Sequence, residues 1–171
     1  MNSLEFIIYI IFIISVFSFI SLAPWIPTRW DDLERLNDIL KLQKWEKFLE
    51  MWCWNAKVSF YLAKNNPETS IVWIELSPFF YIISKIRVYF SGIKNMNIIY
   101  GNALNLDLSE FDVIYVFWLP ETVTKKVFPK LSKINNKNFR FISYCFKMTN
   151  DYFKEKKYKP SQKYAIYEYK L

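Results

Sequence analysis

The segment EKFLEMWCWNAKVSFYLAKNNPETSIVWIEL, residues 46–76, decides the fold. Residues 46–51 are a short, mostly apolar run typical of a buried strand, and residues 69–76 are a second run of this kind. Between them, AKVSFYLAKN at 56–65 has the apolar spacing of a helix. A strand, a helix and a strand in this order predict two parallel strands joined by a crossover helix.

The remainder of the chain continues this alternation. The further predicted elements are a helix at 78–91, strands at 96–100 and 111–117, a helix at 120–132 and a strand at 139–146. Such alternation indicates an α/β fold with a parallel sheet covered by helices on both faces. The tail differs, because YFKEKKY and YAIYEYK are separated by Lys159-Pro160-Ser161-Gln162, which predicts an antiparallel hairpin at the sheet edge.

The amino-terminal part contains a long apolar stretch. Residues 6–23, FIIYIIFIISVFSFISLA, are 18 residues without a charge, and as a helix they reach about 27 Å, nearly the thickness of a bilayer core. Glu5 before the stretch and Pro24 after its last alanine argue against a cleaved signal peptide. We therefore expect a retained single-pass anchor, with the domain on the cytoplasmic side because the downstream charges are Arg29, Arg35, Lys41 and Lys44.

Three regions follow from these patterns. Residues 1–23 are the anchor, residues 24–44 are a linker with a short amphipathic helix, and residues 45–171 are the globular domain. The helix is indicated by apolar residues at helical spacing after an acidic start at Asp31 and Asp32. These apolar residues are Leu33, Leu36, Ile39 and Leu40.

Composition excludes several kinds of function. The 171 residues contain no histidine, which excludes Ser-His-Asp and Cys-His catalysis and any metal site built on imidazole. Cys53 and Cys145 form no C-x-x-C motif, so we expect neither a zinc ribbon nor a disulfide scaffold. We expect the protein to be in a reducing compartment. The net charge of +7 suits an anionic partner, either nucleic acid or a membrane surface, but is also common in domains where it only aids solubility.

Two acidic residues mark a cofactor site at the strand ends. Glu50 ends the first strand before a tight loop, and Glu75 ends the second strand 25 residues later. A nucleoside cofactor binds at this position in open parallel sheets, outside the carboxyl ends of the strands. Together with a terminal hairpin, the layout resembles the class I S-adenosylmethionine-dependent methyltransferases, which have a seven-stranded Rossmann-like sheet.

The whole chain more narrowly resembles the membrane-anchored protein-lysine methyltransferases, the family whose members modify the ATP synthase c subunit and the adenine nucleotide translocase. The order and spacing of several stretches carry this resemblance, in addition to the uncharged anchor. They are A-P-W-I-P-T at 23–28, W-I-E-L-S-P at 73–78, Y-G-N-A-L at 100–104, F-W-L-P at 117–120 and I-S-Y-C-F at 142–146.

This resemblance implies S-adenosylmethionine as cofactor and a lysine of a protein as acceptor. Glu50 and the loop residues Trp52, Cys53, Trp54 and Ala56 are expected to hold the methionine part of the cofactor. Glu75 is expected to accept hydrogen bonds from the ribose hydroxyls, since a carboxylate offers two acceptor oxygens.

Further cofactor contacts are expected at Asn102, with Ala103 beside it, and at Phe117. The stretch from Phe117 to Pro120 is expected to line the mouth of the site, where the methyl acceptor enters. Structural alternatives are a solvated strand end for Glu75 and a turn residue for Asn102. No catalytic base and no metal are implied, because methyl transfer by in-line displacement depends mainly on alignment and exclusion of water. The F-W-L-P stretch lacks the polar residue and second proline of many enzymes that methylate adenine, which disfavours nucleic acid as substrate.

The tryptophans depart from the family pattern. The chain has Gly 2 and Trp 7, whereas ordinary usage predicts about 12 glycines. Tryptophan occupies glycine positions of the family at Trp45, Trp52, Trp54 and Trp73. We assign Trp30 and Trp118 to the same group and leave Trp25 open. In the cofactor loop glycine is required because the backbone turns sharply and comes close to the ligand.

We interpret this pattern as a difference in decoding, in which UGA codons that the source organism reads as glycine were translated as tryptophan. The abundance of Lys, Ile, Asn, Phe and Tyr suits an AT-rich genome. If the tryptophans are genuine, the alternative is a catalytically inactive, membrane-tethered interaction protein. A basic nucleic-acid binder is the third hypothesis, and it lacks a recognisable binding motif.

Overall fold

The computed structural model describes residues 2, 4–10, 28–51, 56–149, 152–159 and 164–170. Residues 4–10 are helical and exposed. Within the described ranges no helix is long and apolar enough to cross a membrane. Most of the predicted anchor, residues 11–23, lies outside these ranges, so the anchor stays a prediction.

Strands and helices alternate as the sequence predicts, with ends that agree within one or two residues. The helices are α1 (Trp30–Leu40), α2 (Lys57–Asn65), α3 (Pro78–Ser91), α4 (Pro120–Thr122) and α5 (Phe128–Leu131), and a π-helical stretch, Val123–Val127, joins α4 to α5. The strands are β1 (Lys47–Met51), β2 (Ser70–Glu75), β3 (Met96–Tyr100), β4 (Val113–Val116), β5 (Arg140–Tyr144), β6 (Lys154–Tyr158) and β7 (Ile166–Lys170).

One seven-stranded sheet has the order β3-β2-β1-β4-β5-β7-β6. Strands β1 to β5 are parallel to one another, so their carboxyl ends lie at one edge of the sheet. The tail forms the predicted antiparallel hairpin, and its second strand, β7, pairs with β5. The prediction of an α/β methyltransferase-like sheet with a terminal hairpin is therefore confirmed.

Two apolar cores cover the faces of the sheet. On one face, β-strand residues such as Leu49 and Ile114 pack with Val127 and Leu131 of the helical stretch after β4. On the other face, residues such as Phe48 pack with α1 and α2. The predicted amphipathic helix α1 buries Leu33, Leu36 and Leu40 in this second core.

Candidate functional site

The register of the strands brings the predicted site together at the carboxyl edge. Met51 pairs with Ile74 and with Val116, and Glu75 pairs with Tyr100. The loops that follow β1, β2, β3 and β4 therefore emerge side by side. These are the loops in which the sequence places its cofactor-binding residues.

Glu50 is fully buried and connects the two ends of the cofactor loop. Its Oε2 accepts a hydrogen bond of 2.8 Å from the backbone N–H of Ser59 and one of 2.5 Å from the Ser59 hydroxyl. Ser59 lies in the first turn of α2, so the carboxylate is close to the positive end of that helix. The bonds hold the end of β1 against the start of α2 across residues 52–55.

Glu75 is buried rather than solvated, with 5% of its surface exposed. Its Oε1 accepts a hydrogen bond of 2.7 Å from the backbone N–H of Ser77. Burial raises the pKa of Glu75 to about 7, against the opposing effect of the backbone hydrogen bonds from Ser77 and Leu76. A desolvated carboxylate of this kind gains from additional hydrogen-bond donors, such as the two hydroxyls of a ribose.

Asn102 occupies the turn after β3. Its Oδ1 accepts a hydrogen bond of 2.9 Å from the backbone N–H of Leu104 and so caps the short 3₁₀ helix Ala103–Asn105. The turn role that the sequence allows is therefore present. Ala103 is buried beside it, and the proposed contact of both residues with adenine stays a prediction.

Phe117 lies at the carboxyl end of β4 with its side chain inside the protein. It is 3% exposed, forms an edge-to-face contact with Tyr144 at 5.0 Å between ring centroids, and stacks on Phe146 at 5.9 Å. Leu119, two residues further on, is 46% exposed. The apolar mouth predicted at 117–120 is thus exposed at Leu119, whereas the contact of Phe117 with the cofactor stays a prediction.

The cofactor loop itself is only partly described. Trp52, Cys53 and Trp54, all predicted to contact the cofactor, lie outside the described residues. Ala56 is buried and precedes the first residue of α2 with φ 48°, in the left-handed region. The loop therefore ends in a turn that is unfavourable for a residue with a Cβ.

A buried polar contact on α1 was not found from the sequence. The Tyr144 hydroxyl donates a hydrogen bond of 2.5 Å to Oδ2 of Asp32, and Arg35 Nη2 lies 3.0 Å from Oδ1 of Asp32. The sequence places Asp32 only at the start of a helix. Its neighbour Leu33 is a core residue, but burial of Asp32 itself could not be inferred without the partner on β5.

Lys57 was also not singled out from the sequence. Its Nζ donates a hydrogen bond of 2.8 Å to the carbonyl oxygen of Thr28 and lies 3.9 Å from the centroid of the Trp30 ring. Burial lowers the pKa of Lys57. The residue connects the beginning of the predicted linker, at Thr28, to the first turn of α2, next to the cofactor loop.

Two of the suspected glycine positions have unusual surroundings. Trp45 has φ 69°, which only glycine adopts without strain, and its side chain is 76% exposed. Trp73 pairs with Glu50 in the sheet and is fully buried, and its Nε1 has no hydrogen-bond partner among the described residues. Trp118 is fully buried without a positive φ, so its backbone does not require glycine.

Comparison with solved structures finds methyltransferases with a similar fold. An RNA methyltransferase from Salinibacter ruber in complex with S-adenosyl-L-homocysteine aligns with a TM-score of 0.75 at 16% identity, over 85% of this chain and 94% of that one. The fold is that of the class I S-adenosylmethionine-dependent methyltransferases. No protein-family model and no curated protein matches the sequence.

Two further class I neighbours differ in what their names say they methylate. A putative O-methyltransferase from Klebsiella pneumoniae has a TM-score of 0.63 and 10% identity, over 87% of this chain and 83% of that one. A dimethyladenosine transferase from Plasmodium falciparum has a TM-score of 0.64 and 14% identity, over 85% of this chain and 62% of that one. At these identities the likeness establishes the methyltransferase fold and leaves the acceptor open.

Proposed function

We propose that the protein is an S-adenosylmethionine-dependent methyltransferase, attached to the membrane through residues 6–23, that methylates lysine side chains of proteins. The observation that supports it best is the pair of buried carboxylates, Glu50 and Glu75, at the ends of adjacent strands of a class I methyltransferase sheet. A ligand with a cationic amino acid part and a ribose suits this arrangement.

Each carboxylate has a distinct task in this proposal. Glu50 shapes the cofactor loop by holding Ser59 and with it the start of α2. Glu75 accepts the ribose hydroxyls, which favours its ionised form and offsets the cost of its burial. When bound, S-adenosylmethionine supplies an activated methyl group. The chain's own contribution is to orient the ligand and to exclude water.

The acceptor proposal rests on the resemblance and on the apolar mouth at Leu119. An amine must be neutral to attack a methyl group, and an apolar surrounding lowers the pKa of a lysine in the required direction. No basic side chain has to be assigned for this step, because desolvation of the acceptor removes much of the need for one.

We also propose that Trp45, Trp52, Trp54 and Trp73 are glycines in the protein that the source organism makes, with Trp30 and Trp118 in the same group. The positive φ at Trp45 supports this, since a residue with a Cβ adopts it at a cost of about 1–2 kcal/mol. The buried indole of Trp73 supports it too, because an unsatisfied buried N–H costs about 1–3 kcal/mol.

The coding DNA and the natural protein test the decoding proposal directly. In-frame TGA at these codons, and peptides with the mass of glycine at the same positions, are expected. TGG codons would overturn the proposal. They would favour the alternative function, a membrane-tethered interaction protein with a methyltransferase fold but without cofactor, since Trp52 and Trp54 would then occupy the cofactor loop.

Methyl transfer is tested with the glycine-containing protein. Membranes from cells that lack the gene are incubated with the enzyme and S-adenosylmethionine that carries a radioactive methyl group. Label in lysine after complete hydrolysis of the protein fraction is expected, and a Glu75→Ala variant should transfer much less. Label recovered only in RNA would contradict the lysine proposal while retaining methyltransferase activity.

A further inference from the structure

Helix α3 is apolar on two faces, and the described part of the chain covers only one of them. The inner face contacts the sheet through Tyr81, Ser84 and Val88. The outer face has six apolar or aromatic residues that are 45–81% exposed, and we call it the outer stripe. It consists of Phe79, Ile82, Ile83, Ile86, Tyr89 and Phe90.

The spacing shows that the outer stripe is a continuous surface. From Phe79, the other residues follow at three, four, seven, ten and eleven positions, which is the repeat of one helix face. A surface helix of a soluble domain normally presents polar residues on this side. Contiguous exposed apolar patches of this kind mark contact with a protein or a membrane.

Charge indicates the nature of the partner. Residues 76–106 contain Lys85, Arg87 and Lys94 but no aspartate or glutamate. At about 100° per residue, Lys85 and Arg87 fall on opposite flanks of the outer stripe. A two-fold contact with a second copy would bring these cations against their own counterparts, which disfavours self-association.

The side chains on the flanks follow the pattern of a helix in a membrane interface. Lys85 Nζ lies 5.7 Å from the centroid of the Tyr81 ring, and the Arg87 guanidinium lies 4.0 Å from that of Phe60. In both residues the charged group itself lies against an aromatic ring, and both residues stand at the borders of the outer stripe. Such a helix lies in the plane of the bilayer, with its apolar face among the acyl chains and its cations at the phosphates.

We propose that the outer stripe of α3 binds the surface of an anionic bilayer. Ile82, Ile83 and Ile86 enter the upper acyl region, Tyr89 and Phe90 lie at the interface, and Lys85 and Arg87 contact lipid phosphates. This contact involves the folded domain and is separate from the anchor at residues 6–23.

The proposed lipid contact would also determine how far the candidate site lies from the membrane. Helix α3 begins three residues after Glu75, and the exposed Leu76 lies between Glu75 and Phe79, the first residue of the outer stripe. A domain bound in this way holds the carboxyl edge of its sheet close to the headgroups. This step rests on the proposed lysine methylation: the acceptor would then be a lysine of a membrane protein, near the membrane surface.

The experiment uses the full chain in vesicles of phosphatidylcholine with phosphatidylglycerol. Cys53 and Cys145 are replaced by serine, and a single cysteine that carries the fluorophore NBD is introduced as Ile86→Cys. Its control is Asn138→Cys, exposed beside the amino-terminal end of β5, at the opposite edge of the sheet. Nitroxide groups on the acyl chains are expected to quench most of the fluorescence at residue 86 and little of that at residue 138.

A second pair of variants tests whether binding requires anionic lipid. Lys85→Glu should strongly reduce the quenching at residue 86, whereas Lys137→Glu, an exposed change of equal charge at the opposite edge, should leave it unchanged. Equal quenching in all variants, or in pure phosphatidylcholine, would overturn the anionic proposal.

Two other outcomes would overturn the lipid contact. A label at residue 86 that stays exposed to water on membrane-bound protein shows that the domain does not contact the bilayer through α3. A shielded label that acyl-chain nitroxides do not quench shows that residues 11–27 or another protein cover the stripe. Neither outcome depends on methyl transfer, so failure of this proposal is distinguishable from failure of the proposed function.

Discussion

Tyr144 at the end of β5 donates a hydrogen bond of 2.5 Å to Asp32 in the first turn of α1, across 112 positions of sequence. Both side chains are buried. Burial, together with the hydrogen bond to Asp32, raises the pKa of the Tyr144 hydroxyl, so that it remains a donor at physiological pH. This contact fixes α1 on the face of the sheet that contains Glu50.

Removal of this hydroxyl should therefore destabilise the domain. We expect Tyr144→Phe to lower the free energy of unfolding by about 1–3 kcal/mol, because the buried Asp32 carboxylate loses a donor. Urea unfolding measures the effect. Tyr89→Phe is the control, since Tyr89 is 81% exposed and its change should stay within about 0.5 kcal/mol. Equal effects of the two changes would show that the contact contributes little.

Trp45→Gly should stabilise the protein by about 1 kcal/mol. The gain comes from relief of the left-handed backbone at φ 69° and is reduced by the greater freedom of glycine in the unfolded chain. Tyr89→Gly is the matched change at an exposed aromatic residue inside α3, where the helical backbone should make glycine unfavourable by about 1 kcal/mol. Thermal melts of both variants should therefore shift in opposite directions, and a loss of stability for Trp45→Gly would contradict the glycine assignment there.

Glu75 should make the ligand-free protein less stable as the pH rises. Below about pH 4.5 the carboxyl is protonated in both the folded and the unfolded chain. Above this pH the unfolded chain ionises, whereas the folded chain keeps the proton up to about pH 7. The stabilising contribution is thus fully present below pH 4.5 and is lost as the pH approaches 7.

Urea midpoints measured between pH 4.5 and 7.5 test this prediction. Glu75→Gln should reduce the loss of stability over this range, because the amide does not titrate. Glu110→Gln, at an exposed position, should leave the profile of the parent protein unchanged. Identical profiles for all three proteins would show that Glu75 is not the group responsible.

If residues 6–23 anchor the protein as predicted, the full chain should behave as an integral membrane protein. It should remain in the membrane pellet after extraction with alkaline carbonate, which removes proteins bound only at the surface. Ile13→Arg with Ile14→Arg should release it, because each arginine at the centre of a span costs about 2.5–3.5 kcal/mol. Protease should reach the domain only after the cells are opened, and cleavage in intact cells would contradict the cytoplasmic orientation.

Local sequence patterns were sufficient to predict the strands, the helices and the parallel sheet. Apolar runs such as 69–76 and the helical repeat at 78–91 report on burial and periodicity within one segment. The same patterns place Glu50 and Glu75 at strand ends. They could not show that Glu75 is buried, because its burial depends on the neighbouring strand β3 and on the start of α3.

Contacts between distant segments were beyond prediction for the same reason. Asp32 with Tyr144 and Thr28 with Lys57 pair residues that only the folded topology brings together. Residues 78–91 were predicted as a helix, but the exposure of the outer stripe could be seen only once the sheet occupied the other face. Trp45 is the reverse case, since a glycine was predicted there before the structure and the left-handed backbone angle favours glycine.

Calorimetric titration with S-adenosylmethionine tests the cofactor site most directly, using the chain with glycine at 45, 52, 54, 73 and 118 beside the chain with tryptophan. The glycine form should bind with micromolar affinity, and its Glu75→Ala variant should bind about 1–3 kcal/mol more weakly. The tryptophan form should not bind, because Trp52 and Trp54 would occupy the space of the ligand. Tight binding by the tryptophan form, or no binding by a folded glycine form, would contradict the assignment of this edge of the sheet as an S-adenosylmethionine site with a glycine loop.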